Sequence, residues 1–458
     1  MTAKKRWLYI PVEIKVRAYH ARLLLGCAAA EAGYGVVLGS QRELLEAIPY
    51  LGPGIFFDKS IAANKGKILS QIKSYGHQVA GIDEEGFVYT DPDLWAHQRL
   101  SEKTLDTASS VMTWGQAQHD IFARHYPNHM SKVHLTGNPR IDLLRPELRE
   151  FYRNEADAIS KEHGQFIFVP SNFSSYINAN GPDFMRELYE NYGHTATDDK
   201  RRELQSLIQF TARLFFNMLL AIDRLSMQFP DNRIVIRPHP GDDHQLWKNL
   251  MACYPNVVVE FKGTIEPYLL AADVILHNGC TSAIQAVLMD RLVLAYQPEK
   301  DDRYDQKLPN SISESIPNLD ALEEQVRMQL NKSEQDSISQ ATREILDHHL
   351  ASLQGEFAYQ KIIGLLDQIN IQEHAFDHAR VRNWLILLPR RSARGLLTKF
   401  PGKFKAAEKY ERQKFPGLEL DEVQQDLQKL QSVTGRLNSV AAKQMSHNLF
   451  KIECDGRR

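Results

Sequence analysis

The feature that most constrains this chain is an alternation of short, β-branched apolar runs with amphipathic stretches. RWLYIPV precedes a helical pattern over Tyr19–Ala32, and GYGVVLGS precedes another through Leu44 and Leu45. GIFFD, HQVAGID, SVMTWG and KVHLTG continue the series, each separated from the next by helical sequence. Strands that read as continuous apolar runs are buried on both faces, so the rhythm predicts an α/β fold with a doubly wound parallel sheet. It breaks over Arg145–His163, which is polar, charged and helical in character, and restarts with QFIFVPSN, RIVIRPHP, NVVVEF, DVILHNG and LVLAYQ. Two doubly wound units joined near residues 150–163 follow, with a cleft at the carboxyl ends of both sheets. The expected division is 1–155, 156–370 and a tail over 371–458. A chain of 458 residues suits two units of about 150–200 residues and an extra segment. Within the second unit, Leu207, Ile208, Ala212, Phe215, Leu219 and Ile222 recur near a period of 3.6 and predict a packed helix over Glu203–Gln228.

Composition narrows the function. A formal net charge of -2 argues against coating nucleic acid. Cys27, Cys253, Cys280 and Cys454 are scattered, with no CxxC pair and no zinc spacing, so a reducing compartment and no structural metal are expected. The apolar run at the N-terminus is short for a signal peptide and is interrupted by proline. No stretch approaches the ~18 uninterrupted apolar residues of a membrane span. A cytoplasmic protein is the expectation. In the tail, Arg380, Arg382, Arg390, Arg391, Arg394, Lys399, Lys403 and Lys405 interleave with Trp384, Leu385, Leu387, Leu396, Leu397 and Phe400. That pattern suits peripheral contact with an anionic membrane surface, here the inner face of the cytoplasmic membrane, or a basic helix packed back on the core.

Polar clusters at predicted strand ends carry the chemistry. RIVIRPHPGDD is a buried strand stopped by two prolines, leaving Arg237 and His239 where open α/β sheets bind ligands. Arg237 can fork two donors onto a phosphate, and His239 can donate to an oxygen that gains charge as a bond breaks. GIDEEGF places Asp83, Glu84 and Glu85 after a strand. Mutual repulsion and partial burial would raise one of their pKa values toward that of a general base, the alternative being a solvated turn closed by Gly86. After the strand Asp273–Leu276 come His277, Asn278, Gly279, Cys280, Thr281 and Ser282. Thr281 and Ser282 fall where a helix begins, as caps, phosphate ligands or both. Ser171 and Asn172 after Phe166–Val169, and Asn138 and Arg140 after Val133–Leu135, are polar groups at the cleft suited to sugar hydroxyls. No GxxxxGK[ST], GxGxxG or GxSxG motif is present, and Asp91-Pro92-Asp93 reads as a turn.

With these residues in view, the chain resembles the bacterial surface carbohydrate biosynthesis proteins. More broadly it resembles GT-B glycosyltransferases that use CMP-activated acidic sugars, such as sialyl and Kdo transferases. The matching motifs are Asp83-Glu84-Glu85-Gly86, His239-Pro240 and Thr281-Ser282, in that order. PVEIKVRAYHARLLLG, DKSIAANK, LTGNPRIDLL and PSNFSSYIN extend the likeness over residues 7–300. The resemblance implies two Rossmann-like domains. It implies Glu84 or Asp83 as the base that activates an acceptor hydroxyl, His239 as phosphate donor, and Thr281 and Ser282 as phosphate ligands. It further implies a CMP-linked nonulosonate or Kdo-like donor, a surface polysaccharide or lipopolysaccharide acceptor, and no cofactor or metal. PSNFSSYINAN departs from the retaining Kdo transferases: it has no carboxylate before Asp183, which favours inverting displacement or a nucleophile from the acidic cluster. A UDP-sugar 2-epimerase-like enzyme, a polyol-phosphate transferase and a non-catalytic scaffold of glycan assembly are the alternatives.

Overall fold

The structure is a computed structural model describing residues 4–191, 195–332, 338–375 and 412–454. In the first sheet β1 (Trp7–Val12), β2 (Gly35–Ser40), β3 (Ile55–Asp58), β4 (Gln78–Ile82), β5 (Ser110–Thr113) and β6 (Val133–Leu135) run parallel in the order 2-1-3-4-5-6. The second sheet holds β7 (Phe166–Pro170), β8 (Arg233–Arg237), β9 (Val257–Val259), β10 (Val274–His277), β11 (Val293–Tyr296) and β12 (Glu314–Ile316). Its parallel order is 12-11-10-7-8-9. Strand order reverses between β1 and β3 in one sheet and between β7 and β10 in the other. These are the switch points where such sheets open a crevice.

The apolar runs become strands because both faces are covered. Every residue of β1, β2 and β7 is buried. Covering a single Val or Leu in such a strand is worth about 1.5–3 kcal/mol, so a charge at Val37, which is fully buried, would unseat β2. The helix expected over Tyr19–Ala32 runs Lys15–Glu31 and buries its residues almost all round, packing on β1, β2 and the helix Ala358–Asp367. The expected Glu203–Gln228 helix extends to Asp198–Gln228. That helix is long and apolar enough to cross a membrane by length and composition, but Phe210, Leu214, Met218, Ile222 and Leu225 lie in the core of the second unit.

The passage between the units falls where the rhythm broke. Helix Arg153–His163 ends at Gly164, whose φ of 67° and ψ of -143° are open to glycine alone, and β7 follows. The return is earlier than the expected boundary at residue 370. Helices Gln340–His349 and Ala358–Asp367 already pack on the first unit. Ala351 N–H donates to the Trp114 carbonyl at 2.6 Å. The carboxylate of Asp142 accepts the N–H groups of Ala358 and Tyr359, both at 2.9 Å.

The tail also differs from a helical appendage. Helix Leu420–Thr434 is followed by a hairpin of β13 (Val440–Ser446) and β14 (Leu449–Cys454). β14 pairs antiparallel with β2, so the hairpin closes the edge of the first sheet. The basic amphipathic stretch over 380–405 lies outside the described residues.

Candidate active site

The two sheets face each other across a cavity of about 250 Å³ at their carboxyl ends. Its second-unit wall is built on the β7/β10 switch point and the loop after β8. The first-unit wall comes from the start of helix Lys15–Glu31, the turn after β4 and the helix after β6. This arrangement, two Rossmann-like units opposed across a crevice, is the GT-B architecture.

The loop after β8 puts His239 on the wall. Gly241 N–H donates to its Nδ1 at 3.0 Å, so the neutral ring carries its proton on Nε2. Burial pushes its pKa down to about 4, and the imidazole is a neutral donor at pH 7. Asp242 holds the loop: its Oδ2 accepts from the Ser171 hydroxyl, from Trp247 Nε1 at 3.1 Å and from His239 N–H at 3.2 Å. Ser171 is thereby committed to a buried carboxylate while still lining the cavity.

Arg237 is buried at 4% exposure and faces the cavity, but it is not a free fork. Its Nη1 and Nη2 donate to the carbonyls of Lys262 at 2.7 Å and Gly263 at 2.5 Å. The guanidinium also lies over the rings of Phe261 and Tyr268, with centroids at 5.0 and 5.3 Å. It adds positive charge to the wall and fixes the loop after β9, with burial pulling its pKa below the usual arginine value.

The loop after β10 also departs from expectation. Thr281 is the residue before helix Ser282–Leu288, yet neither hydroxyl caps it. The Thr281 backbone is already helical (φ -62°, ψ -21°), whereas a capping side chain needs an extended one to reach back. Ser282 Oγ donates to Cys280 Sγ at 2.9 Å, and both Thr281 and Ser282 line the cavity. Gly279 has φ +60°, and a Cβ there would crowd Gln306. Asn278 turns away, donating to the Tyr296 carbonyl at 2.7 Å. Asn172 reaches the Gly279 carbonyl at 3.2 Å and so ties the β7 and β10 loops together.

The acidic turn resolves into three different residues. Asp83 is 5% exposed and clasped by Arg99 through two 2.7 Å bonds, with Ser60 and Glu85 N–H completing its partners. Glu84 sits between Arg22 at 2.9 Å and Arg140 at 3.5 Å. Neither carboxylate lines the cavity; Glu85 does. Base assignment to Asp83 or Glu84 therefore does not fit this geometry: all three carboxylates pair with arginines, but adjacent residues in a turn point in different directions and only Glu85 faces the cavity. Glu85 pairs with Arg17 at 3.0 Å, and its side chain is 51% exposed. Arg17 holds its pKa down at about 2. Water in the cleft reaches this carboxylate, so the pair is screened and exchangeable. Arg140 lines the cavity, whereas Asn138 is buried behind it and caps helix Pro139–Asp142 by accepting from Arg140 N–H at 2.9 Å.

Two charged side chains of the wall, Arg17 and Glu266, are not marked as site residues by the sequence. Arg17 stands just inside the helix that follows β1, a strand-end position that the ligand rule covers. Glu266 opens helix Glu266–Ala271, where no local pattern marks it. It is 6% exposed, with Oε1 accepting from Gln285 at 2.8 Å and Oε2 without a hydrogen-bond partner. A buried carboxylate oxygen on a cavity wall with nothing to accept is suited to a hydroxyl-bearing ligand.

No protein-family model and no curated protein matches the sequence. Solved structures similar to the chain include a UDP-GlcNAc 2-epimerase from Neisseria meningitidis bound to UDP-GlcNAc. Its TM-score is 0.48 at 12% identity, covering 80% of this chain and 100% of that one. The wall teichoic acid polymerase TagF gives 0.46 at 8% identity, covering 79% and 88%. A glycosyltransferase from Rickettsia africae gives 0.44 at 10%, covering 80% and 98%. Identities this low leave the substrate open.

Proposed function

We propose that the chain is a glycosyltransferase that moves a sugar from a nucleotide donor to a glycan acceptor, with the reaction in the cavity between the sheets. The observation that carries this reading is the meeting of Glu85, Arg17 and His239 in one cavity, a carboxylate from one unit opposite a neutral Nε2–H donor from the other.

A donor phosphate seated against His239, Thr281 and Ser282 accepts from the histidine Nε2–H and draws the Arg17 guanidinium away from Glu85. Arg140 and Arg237 add positive charge around it. Glu85, released from its cation, regains an ordinary carboxylate basicity. It takes the proton of an acceptor hydroxyl as that oxygen bonds to the sugar carbon. The bond from that carbon to the phosphate oxygen breaks, and the nucleotide leaves with the electron pair. Preorganised donors aimed at the phosphate where negative charge grows account for the stabilisation, with no step that requires a divalent ion. Glu266 Oε2 is placed to accept from ribose hydroxyls.

The finer reading is a CMP-linked nonulosonate or Kdo-like sugar transferred to a surface polysaccharide or lipopolysaccharide, at the inner face of the membrane. It rests on the motif order Asp83-Glu84-Glu85-Gly86, His239-Pro240 and Thr281-Ser282. Calorimetry with CMP, CDP, UDP and their sugars tests it. Binding of UDP but not CMP would remove the acidic-sugar assignment. Epimerised sugar formed from a UDP-sugar without any acceptor would replace transfer by epimerisation.

A further inference from the structure

Behind the Arg237 wall and outside the cavity, three side chains converge where helix Arg153–His163 meets the loop after β9. We propose that Glu162, His163 and Glu260 bind a divalent first-row transition metal ion, of which Zn²⁺ best suits the donor set. Their ligand atoms all lie within 4.8 Å of one another, the one such cluster among the described residues. His163 is 6% exposed, and neither of its ring nitrogens has a hydrogen-bond partner. Its Nε2 stands 3.5 Å from Glu260 Oε2 without making a hydrogen bond. Two donors on one tetrahedral Zn²⁺, each bonded at about 2.0–2.1 Å, stand roughly 3.3 Å apart. The separation is that of two ligands sharing an ion.

The surroundings support the assignment. Glu260 is 8% exposed and its Oε2 accepts from the Tyr268 hydroxyl at 2.8 Å, the kind of outer contact that orients a ligating carboxylate. One imidazole and two carboxylates form a nitrogen–oxygen set that suits zinc better than calcium or magnesium. In the absence of metal the Lys262 ammonium answers the two carboxylates, at 3.1 Å from Glu260 and 3.5 Å from Glu162. The Lys262 side chain is 66% exposed, so an incoming ion displaces a loosely held charge into water. A bound ion would pin the end of the helix that carries the chain from the first unit to the second. It would also fix the loop whose Lys262 and Gly263 carbonyls hold Arg237.

The test is calorimetric titration of the metal-free full chain with Zn²⁺, together with the visible d–d bands of a Co²⁺ substitute. One ion per chain is expected. Glu162→Gln and His163→Gln should each weaken binding by about tenfold or more, and Lys262→Gln should tighten it. Glu162 is exposed, so its variant keeps the fold and carries the test even if the histidine variant does not. Absence of saturable binding by the wild-type chain, or unchanged affinity in Glu162→Gln, overturns the proposal.

Discussion

Asp83 and Glu85 are two residues apart, and exchanging each for its amide should produce opposite phenotypes. Asp83→Asn removes the charge from a 5% exposed carboxylate clasped by Arg99 through two 2.7 Å bonds. Hydrogen bonds to charged groups contribute about 1.5–3 kcal/mol each, and breaking a buried pair costs about 3–5 kcal/mol. Arg99 keeps 30% of its side-chain exposure, so water recovers part of the loss, and a net cost of about 2–4 kcal/mol is expected. For a unit of this size that lowers Tm by roughly 4–16 °C. Glu85→Gln breaks only the water-screened pair with Arg17, worth about 1 kcal/mol at most, while turnover should fall about 10²–10⁴-fold through loss of the base. Urea midpoints and donor turnover measured on both variants decide the matter. A stable Asp83→Asn beside an unfolded Glu85→Gln, or full turnover in Glu85→Gln, would refute the division of labour drawn from the geometry.

The remaining tests address single contacts. Arg237→Lys cannot reproduce the fork onto the Lys262 and Gly263 carbonyls and should weaken nucleotide binding about tenfold by calorimetry; unchanged affinity would remove Arg237 from the wall. Glu266→Gln should weaken a nucleoside monophosphate but not inorganic phosphate, since only the former carries ribose hydroxyls; equal losses would place Glu266 elsewhere. Burial holds His277 at a pKa of about 3, so below about 6.5 the unfolded chain binds a proton that the folded chain refuses. Its contribution is present above that pH and is lost as pH falls toward 3. His277→Gln should therefore flatten the dependence of unfolding free energy on pH between 4 and 6 by up to about 1.4 kcal/mol per pH unit. Identical slopes would show that the ring is charged in the fold. Removing residues 436–454 should leave the apolar β2 edge unpaired and the chain aggregating on size-exclusion chromatography; a clean monomer would deny the hairpin that role.

What could be read ahead of the structure follows from how local each determinant is. Strands β1 to β11 announce themselves through short apolar runs, fully buried in β1, β2 and β7 and only half-buried in the outlying β9, and the end of β8 through the prolines that stop it. His239 was legible for that reason. The roles inside the acidic turn were not, because Arg22, Arg99 and Arg140 arrive from distant positions and only folding shows which carboxylate each claims. Likewise, Thr281 and Ser282 looked like caps by position alone, and the helical backbone at Thr281 excludes it. The hairpin was invisible for another reason: β13 is a half-exposed edge strand of mixed polarity, and its residues carry little of the apolar signal that marks an interior strand.

The placement of β14 beside β2 bears on how the protein is made. A ribosome delivers β2 before the second unit and its antiparallel partner β14 only after it, a delay on the order of tens of seconds at about 5–20 residues per second. The second sheet, continuous in sequence from β7 to β12, has all its strands available first. The earlier-born sheet waits with one rim open, so the unit translated first is the last to be completed. During that interval a chaperone or the nascent chain itself must shield β2, and the time of greatest vulnerability is set by translation speed.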